Sequence, residues 1–195
     1  LKSATALAAF TLSFPMASWA EEPIPVVATF SILGDMVERI GGEHIALTTL
    51  VGPDGDSHVY QPTPKAARSV AESDVLFLNG LDFEGWLERL AEAASFDGAM
   101  VVATNGVVPI AFDDHDDHDD HDDHDDEKHD DHDHGAFDPH AWQSLENAVI
   151  YANNIAAGLA QADPENAGDY YANRAAFTTE VETLRADIGA MMKSL

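Results

Sequence analysis

The chain has 195 residues, of which 45% are hydrophobic, so it can bury the core of one domain and is not wholly disordered. Its 36 acidic residues outnumber its 9 basic residues, and the net charge of −27 excludes duplex nucleic acid and anionic membrane surfaces as general partners. The sequence contains no cysteine, which excludes disulfides, thiolate zinc sites and iron–sulfur clusters and leaves imidazole and carboxylate groups for any metal chemistry.

The first 20 residues have the three-part pattern of a secretory signal peptide. Lys2 precedes an apolar run from Ala4 to Phe14, and small residues lie three and one positions before the predicted cleavage after Ala20. A transmembrane anchor would need about 20 apolar residues, and Pro15 makes this run too short. We therefore expect the chain to be exported, with a mature sequence that begins at residue 21.

From residue 24 onward, short apolar strands alternate with amphipathic helices. Strands are predicted at 24–30, 45–51, 74–79 and 99–103, and helices at 31–40, 63–72 and 82–94. This alternation predicts an α/β fold, with βαβ units and a parallel sheet that is covered on both faces. Ligands of such sheets bind at the carboxyl ends of the strands, and His58 follows the second strand on a turn rich in glycine and aspartate.

Two further helices are predicted after residue 140. Ser144 begins a helix that continues to about Leu159, and Asp163 marks the start of another. Apolar residues of the second helix recur at alternating steps of four and three, which indicates one long helix with a single stripe. The stripe consists of Phe177, Val181, Leu184, Ile188, Met191 and Leu195. It is too short to predict a coiled coil, and the chain stops inside it, so we expect a truncated protein with this stripe partly exposed.

Residues 113–134 hold 14 of the 36 acidic residues and 7 of the 10 histidines. A segment of this composition has little to bury and is expected to be a mobile loop. Because neutral imidazole binds Zn, Cu, Ni or Fe well and carboxylates attract cations, the pattern predicts many weak, exchangeable sites for transition metals. A merely solvating acidic spacer is the alternative, but it does not explain the recurrent histidine. The candidate weak ligands are His115, His118, His121, His124, His129, His132 and His134.

His58 and His140 flank this loop in the sequence and are the candidate ligands of a tighter metal site. Each follows a turn or a proline-containing segment and precedes a helix, so both can face the same crevice at the strand ends. Either histidine alone would more often be a hydrogen-bonded loop residue. His44 is interpreted as a surface residue that leads into the second strand, and it is left out of the site.

Two motifs carry a resemblance to a known family. The segments 57–64 (SHVYQPTP) and 138–142 (DPHAW) resemble the two motifs of the first lobe in metal-specific solute-binding proteins of bacterial ABC transporters, the zinc and manganese uptake family of ZnuA type. The acidic histidine-rich loop is similar to that of the zinc-specific members. The resemblance runs from about Pro25 to Leu195 and implies two α/β lobes joined by a long helix.

The resemblance also implies a ligand set and a domain organisation. One metal ion would lie in the cleft, held by histidines from both lobes and by a carboxylate from the second lobe. His58 and His140 would be the ligands from the first lobe. The chain would then comprise a signal peptide (1–20), a metal-binding lobe with its loop (21–162) and the start of the helix between the lobes (163–195), while the second lobe is missing.

The implied function is non-enzymatic: the protein binds zinc as transported cargo in the periplasm and delivers it to a membrane permease. Imidazole donors favour zinc, whereas manganese prefers more oxygen ligands. The alternatives are a manganese-specific member of the same family, or a periplasmic zinc buffer or metallochaperone that acts through the loop. A separate metallochaperone is also a potential partner. A metallohydrolase is disfavoured because the sequence contains no His-Glu-x-x-His motif.

Overall fold

The computed structural model describes residues 22–111 and 136–195. The predicted signal peptide and the histidine-rich loop therefore lie outside the described residues. The strands are β1 (Ile24–Phe30), β2 (Ile45–Val51), β3 (Val75–Leu78) and β4 (Ala99–Val102). The helices are α1 (Ser31–Gly41), α2 (Pro64–Ala71), α3 (Leu87–Ala94), α4 (Leu145–Ala162) and α5 (Ala167–Lys193), with short 3₁₀ helices at Gly42–His44 and Ala141–Gln143.

The four strands form one parallel sheet in the order β2-β1-β3-β4, which confirms the predicted α/β class. Val26 of β1 lies in register with Leu47 of β2 on one side and with Val75 of β3 on the other. The chain therefore continues from β1 to β2 on one side of β1, and then crosses to β3 on the other side of β1. A change of direction of this kind opens a crevice outside the carboxyl ends of the two central strands.

Apolar side chains of the central strands and of the helices that cover them form the core. Helices α1, α4 and α5 pack against one another, and α2 packs against α3. Gly158 allows α4 to approach the sheet closely, because a Cβ atom at this position would lie 2.6 Å from a methyl group of Val101. The largest fully buried side chains include Tyr151, Tyr170, Phe77, Leu33, Ile40 and Leu76.

Two predicted helix starts are confirmed by their capping interactions. The Thr63 hydroxyl accepts a hydrogen bond from the backbone N–H of Ala66 at 3.2 Å, and Pro64 occupies the first turn of α2. The Ser144 hydroxyl accepts from the backbone N–H of Asn147 at 3.4 Å and begins α4. Within the described residues, no helix is both long enough and apolar enough to cross a bilayer.

The predicted start of the third helix is wrong. Helix α3 begins at Leu87, whereas the amphipathic pattern predicts a start at Asp82. Leu81 and Asp82 have φ angles of 54° and 60°, and Gly80 before them has a φ of 85°. Since right-handed helix requires negative φ, three consecutive residues in the left-handed region form a turn instead.

Helix α5 is a single helix of 27 residues, and its apolar stripe is buried at one end only. Phe177 is 6% exposed, so the expectation that it is partly exposed is wrong. The guanidinium group of Arg39 on α1 lies 4.8 Å from the centre of the Phe177 ring and helps to cover it. Leu184, Ile188 and Met191 are exposed as expected, and Leu195 lies beyond the end of the helix.

Candidate metal site

The imidazole rings of His58 and His140 meet at the carboxyl end of the sheet. Their Nε2 atoms lie 3.3 Å apart although the residues are 82 positions apart in the sequence. Two ligand nitrogens of a tetrahedral zinc ion with bonds of about 2.0 to 2.1 Å would lie about 3.3 to 3.4 Å apart. The separation therefore allows one ion to contact both rings.

The carboxylate of Asp138 orients the His140 ring. Its Oδ1 atom accepts hydrogen bonds from the backbone N–H of His140 at 2.9 Å and from the ring Nδ1 at 2.7 Å. These hydrogen bonds, the backbone one contributing most, lower the pKa of Asp138 below its ordinary value. When Nδ1 donates to the carboxylate, the lone pair of His140 Nε2 is free to bind a metal ion.

Two side chains form hydrogen bonds with the backbone of the loop that carries His58. Asp56 Oδ1 accepts from the His58 backbone N–H at 2.9 Å, and the indole N–H of Trp86 donates to the carbonyl oxygen of Ser57 at 2.8 Å. Asp-x-His therefore occurs at both candidate ligands, with the same bond from the histidine amide to the aspartate carboxylate. Sequence reasoning quoted Asp138 inside a motif but missed its role, although this repeated pattern is the signal that could have indicated it.

Aromatic rings form the inner wall of the site. The Phe83 ring lies 4.8 Å from the His58 ring and 6.1 Å from the His140 ring, measured between centroids. The Trp142 ring lies 4.8 Å from the rings of both Phe83 and Phe30. The cluster restricts the orientations that the two imidazoles can adopt. Sequence reasoning missed Phe83, because its turn was predicted to be helical.

Asn79, at the end of β3, fixes the backbone next to His140. Its side-chain amide donates to the carbonyl oxygen of Pro139 at 2.9 Å, and its side-chain oxygen accepts from the Tyr151 hydroxyl. Burial, together with the nearby charge of Glu84, raises the pKa of Tyr151, so this hydroxyl remains a donor. These two buried polar residues were also missed, and the only sequence signal for them is an asparagine directly after an apolar strand.

The base of the predicted loop lies beside the site. Ala111 and Phe137 form an antiparallel bridge, and the backbone N–H of Asp138 donates to the carbonyl oxygen of Ile110 at 2.8 Å. A cavity of about 250 Å³ opens between residues 107–110, His140 and the start of α4. The segment 112–135, which includes the seven candidate loop histidines, lies in the sequence between the two residues of this bridge, and its own residues are not described.

The described residues supply two donors to the candidate site. Within segments 22–111 and 136–195, no group of three or more histidine, aspartate or glutamate side chains is arranged to hold a metal ion. His44 lies elsewhere, with its Nε2 atom 3.0 Å from a carboxylate oxygen of Asp169, consistent with leaving it out of the site. The metal-binding roles of His58 and His140 remain a prediction, which their geometry supports.

Comparisons with known proteins find similarity to proteins that are named for metal binding or metal uptake. A model of the family ZnuA, described as zinc-uptake complex component A, periplasmic, matches residues 26–195. The manganese-binding lipoprotein MntA of Halalkalibacterium halodurans is 32% identical over 164 residues, which cover 84% of this chain and 48% of MntA. The iron-binding protein YfeA of Yersinia pestis is 29% identical over 163 residues, which cover 84% of this chain and 47% of YfeA.

A solved structure agrees with these sequence matches. The Mn-bound periplasmic metal binding protein from Candidatus Liberibacter asiaticus superimposes with a TM-score of 0.70 at 28% identity, covering 87% of this chain and 57% of that chain. The present chain spans about half the length of the curated relatives it matches. The similarity extends through α5, because the family match continues to residue 195.

Proposed function

The chain belongs to the ZnuA family, whose members are metal-binding transport components rather than enzymes, and from this we propose that it binds zinc in the periplasm and delivers it to the permease of an ABC transporter. The observation that carries the proposal is the 3.3 Å approach of His58 Nε2 to His140 Nε2 at the carboxyl end of the sheet. Zinc is the transported cargo in this proposal, not a resident cofactor.

The chemistry of the donors supports zinc. Both described donors are imidazole nitrogens, which suit zinc well, and the Asp138 carboxylate orients one of them through a hydrogen bond. The family resemblance implies that a further histidine and a carboxylate complete the coordination, from the part of the relatives that this chain does not span. The net charge of −27 attracts cations of every kind to the protein and adds no selectivity.

Manganese is the second candidate cargo. Its support is the printed name of MntA and the manganese-bound state of the similar solved structure. The separation of the two histidines is compatible with a tetrahedral or an octahedral ion, so the complete donor set decides between the metals. An oxygen-rich second half of the site would favour manganese.

Calorimetric titration of the intact protein, including the second lobe that the resemblance implies and first stripped of metal, tests the proposal. We expect tight binding of one zinc ion in the parent, and a loss of affinity of more than about 100-fold in His58→Ala and in His140→Ala, since each removes a ligand. His44→Ala is the matched control and should bind as the parent does. Tighter binding of manganese than of zinc would support the second candidate, and unchanged binding in both cleft variants would contradict the site.

A further inference from the structure

We propose that Glu84 is a positioning residue of the metal site, a buried carboxylate that closes the turn between β3 and α3 and thereby holds both histidine ligands in place. The inference rests on the proposed metal-binding function and adds a residue to it. Glu84 is not within the two sequence motifs, and no contact with a metal ion is assigned to it.

The Glu84 carboxylate is buried and surrounded by donors. Its Oε1 atom accepts hydrogen bonds from the Thr29 hydroxyl at 2.6 Å and from the backbone N–H of Asn79 at 2.7 Å. Its Oε2 atom accepts from the backbone N–H of Gly80 at 3.1 Å. Glu84 is 8% exposed, and a carboxyl group is seldom buried this deeply unless it is paired or hydrogen-bonded. These bonds join the carboxyl ends of β1 and β3.

The same bonds close a turn of uncommon conformation. Gly80, Leu81 and Asp82 all have positive φ angles, and two of them are not glycine. Residues other than glycine adopt such angles mainly where the surrounding structure imposes them, often at functional sites. The carboxylate of Glu84 accepts hydrogen bonds from the backbone N–H groups of Asn79 and Gly80, so these bonds connect the end of the turn to its beginning.

Residues on either side of Glu84 contact the segments of both ligands. The Phe83 ring packs against the imidazoles of His58 and His140. The Trp86 indole donates to the carbonyl oxygen of Ser57, directly before His58. Asn79, whose backbone N–H is bound by Glu84, donates through its side chain to the carbonyl oxygen of Pro139, directly before His140. Release of the turn would therefore loosen both ligands together.

The donor pattern favours a carboxylate over its neutral isostere. Burial raises the pKa of Glu84 above its ordinary value, although the hydrogen bonds from Thr29, Asn79 and Gly80 act in the opposite direction. All three partners donate, so a glutamine at this position would direct its NH₂ group toward at least one N–H or O–H donor. Glu84→Gln is consequently a change of nearly constant volume that breaks the turn closure.

The test uses the intact protein with its implied second lobe and compares three variants with a control. Glu84→Gln is expected to lower zinc affinity about 10- to 100-fold, the range found for residues that orient metal ligands, and to change the visible absorption spectrum of bound Co²⁺. Thr29→Val removes one donor without altering the charge and should give a smaller change in the same direction. Glu84→Asp retains the charge and should lie closer to the parent than Glu84→Gln does. Glu88→Gln, on the exposed face of α3, is the matched control and should match the parent.

The outcomes separate this inference from the proposed function. If Glu84→Gln and Thr29→Val lower the thermal unfolding midpoint but retain the zinc affinity and Co²⁺ spectrum of the parent, Glu84 is merely structural and the inference is overturned. If Glu84 is merely structural but His58→Ala and His140→Ala still lose zinc, the proposed function stands without the inference about Glu84. If both histidine variants bind zinc as the parent does, the proposed function fails and this inference fails with it.

Discussion

Each candidate ligand histidine follows an aspartate by two positions, but the two aspartates form different hydrogen bonds with their histidines. Asp138 Oδ1 contacts both the backbone N–H and the ring Nδ1 of His140, whereas Asp56 contacts only the backbone N–H of His58. The first aspartate therefore sets the tautomer and the orientation of an imidazole, and the second shapes a turn. Substitution of the two residues separates these effects.

Asp138→Asn is expected to lower metal affinity about 10- to 100-fold, because an amide is neutral and no longer fixes the His140 ring as a carboxylate does. Asp56→Asn is the matched control and should have a much smaller effect, since an asparagine oxygen can accept the same backbone bond. Competition with a chromophoric chelator measures both affinities. Equal losses in the two variants would contradict the distinction.

At the scale of single residues, the sequence predicts the candidate ligands better than the groups that hold them. His58 and His140 are recognisable because each lies in a loop at the end of a predicted element. Asn79 donates to Pro139 and Glu84 accepts from Thr29, and these contacts join residues 60 and 55 positions apart that only the folded chain brings together. Phe83 contacts both imidazoles because its turn is left-handed, and the apolar periodicity around it is equally typical of a helix.

The junction between α4 and α5 depends on a buried acid. One carboxylate oxygen of Asp163 accepts hydrogen bonds from the Tyr170 hydroxyl at 2.6 Å and from the Asn166 side-chain amide at 2.8 Å. Burial alone would raise the pKa of Asp163, but the bonds from Tyr170 and Asn166 and the nearby His44 outweigh it and lower the pKa. The stability that ionised Asp163 contributes is therefore present above about pH 4 and is lost as the pH falls through its folded-state pKa.

Tyr170→Phe is expected to lower the free energy of unfolding by about 1.5 to 3 kcal/mol at pH 7, the range for a hydrogen bond to a charged group. The difference from the parent should narrow below about pH 4, because Asp163 is then increasingly protonated in both proteins. Urea unfolding at a series of pH values measures this difference in the free energy of unfolding. Tyr171→Phe, at the adjacent and exposed tyrosine, should leave stability unchanged, and a difference that stays constant down to pH 2 would contradict the role of Asp163.

The bridge between Ala111 and Phe137 makes residues 113–134 separable from the folded lobe. Because the chain on both sides of this segment is already held together by the bridge and by the bond from Asp138 to Ile110, deletion is expected to preserve the fold and the tight site. The additional weak zinc sites should be lost, most clearly above about pH 6.5, where imidazoles are neutral. Neighbouring carboxylates should shift that threshold upward.

Equilibrium dialysis with zinc, with and without residues 113–134, measures the number of sites. A control in which the seven histidines are changed to asparagine at unchanged length should lose the same weak sites as the deletion. Equal zinc stoichiometry in the parent and the deletion variant would show that the loop histidines are not ligands.

The order of the elements follows from the sequence more closely than their ends do. Strand β1 and strand β2 have the predicted bounds, since β-branched apolar runs are flanked by a helix and by glycine-rich turns. Helix α3 is shorter than predicted because Gly80, Leu81 and Asp82 have positive φ angles, which interrupt the local helical pattern. Local periodicity does not contain the information on such contacts.

At the scale of the whole molecule, α5 is buried unevenly. Tyr170 and Phe177 in its first half are buried against the lobe, whereas the second half exposes Leu184, Ile188, Met191 and Met192. Full burial of such a side chain is worth roughly 1.5 to 3 kcal/mol, and each of these, already partly buried, forgoes about half of it. An exposed apolar surface of this kind favours association.

Residues 22–195, produced alone, are therefore expected to self-associate in a concentration-dependent way. Replacement of both Leu184 and Met191 with glutamate should shift the protein toward monomer, because it places charges in the exposed stripe. Glutamates at Thr179 and Thr183 add the same charge at exposed polar positions and should have less effect. Light scattering coupled to size exclusion measures the mass, and a monomeric parent at all concentrations would contradict the prediction.

The uneven anchorage of α5 also has a mechanical consequence. The helix is held along one side by the ion pairs of Arg39 with Glu180 and of Arg185 with Glu146, and its 27 residues span about 40 Å at a rise of about 1.5 Å each. Arg185 lies eight residues before Lys193, so about 12 Å of helix projects beyond these two ion pairs. A bend of about 10° at Arg185 would move Lys193 by about 2 Å over that length, so loss of the ion pair between Arg185 and Glu146 is expected to displace only the end of α5.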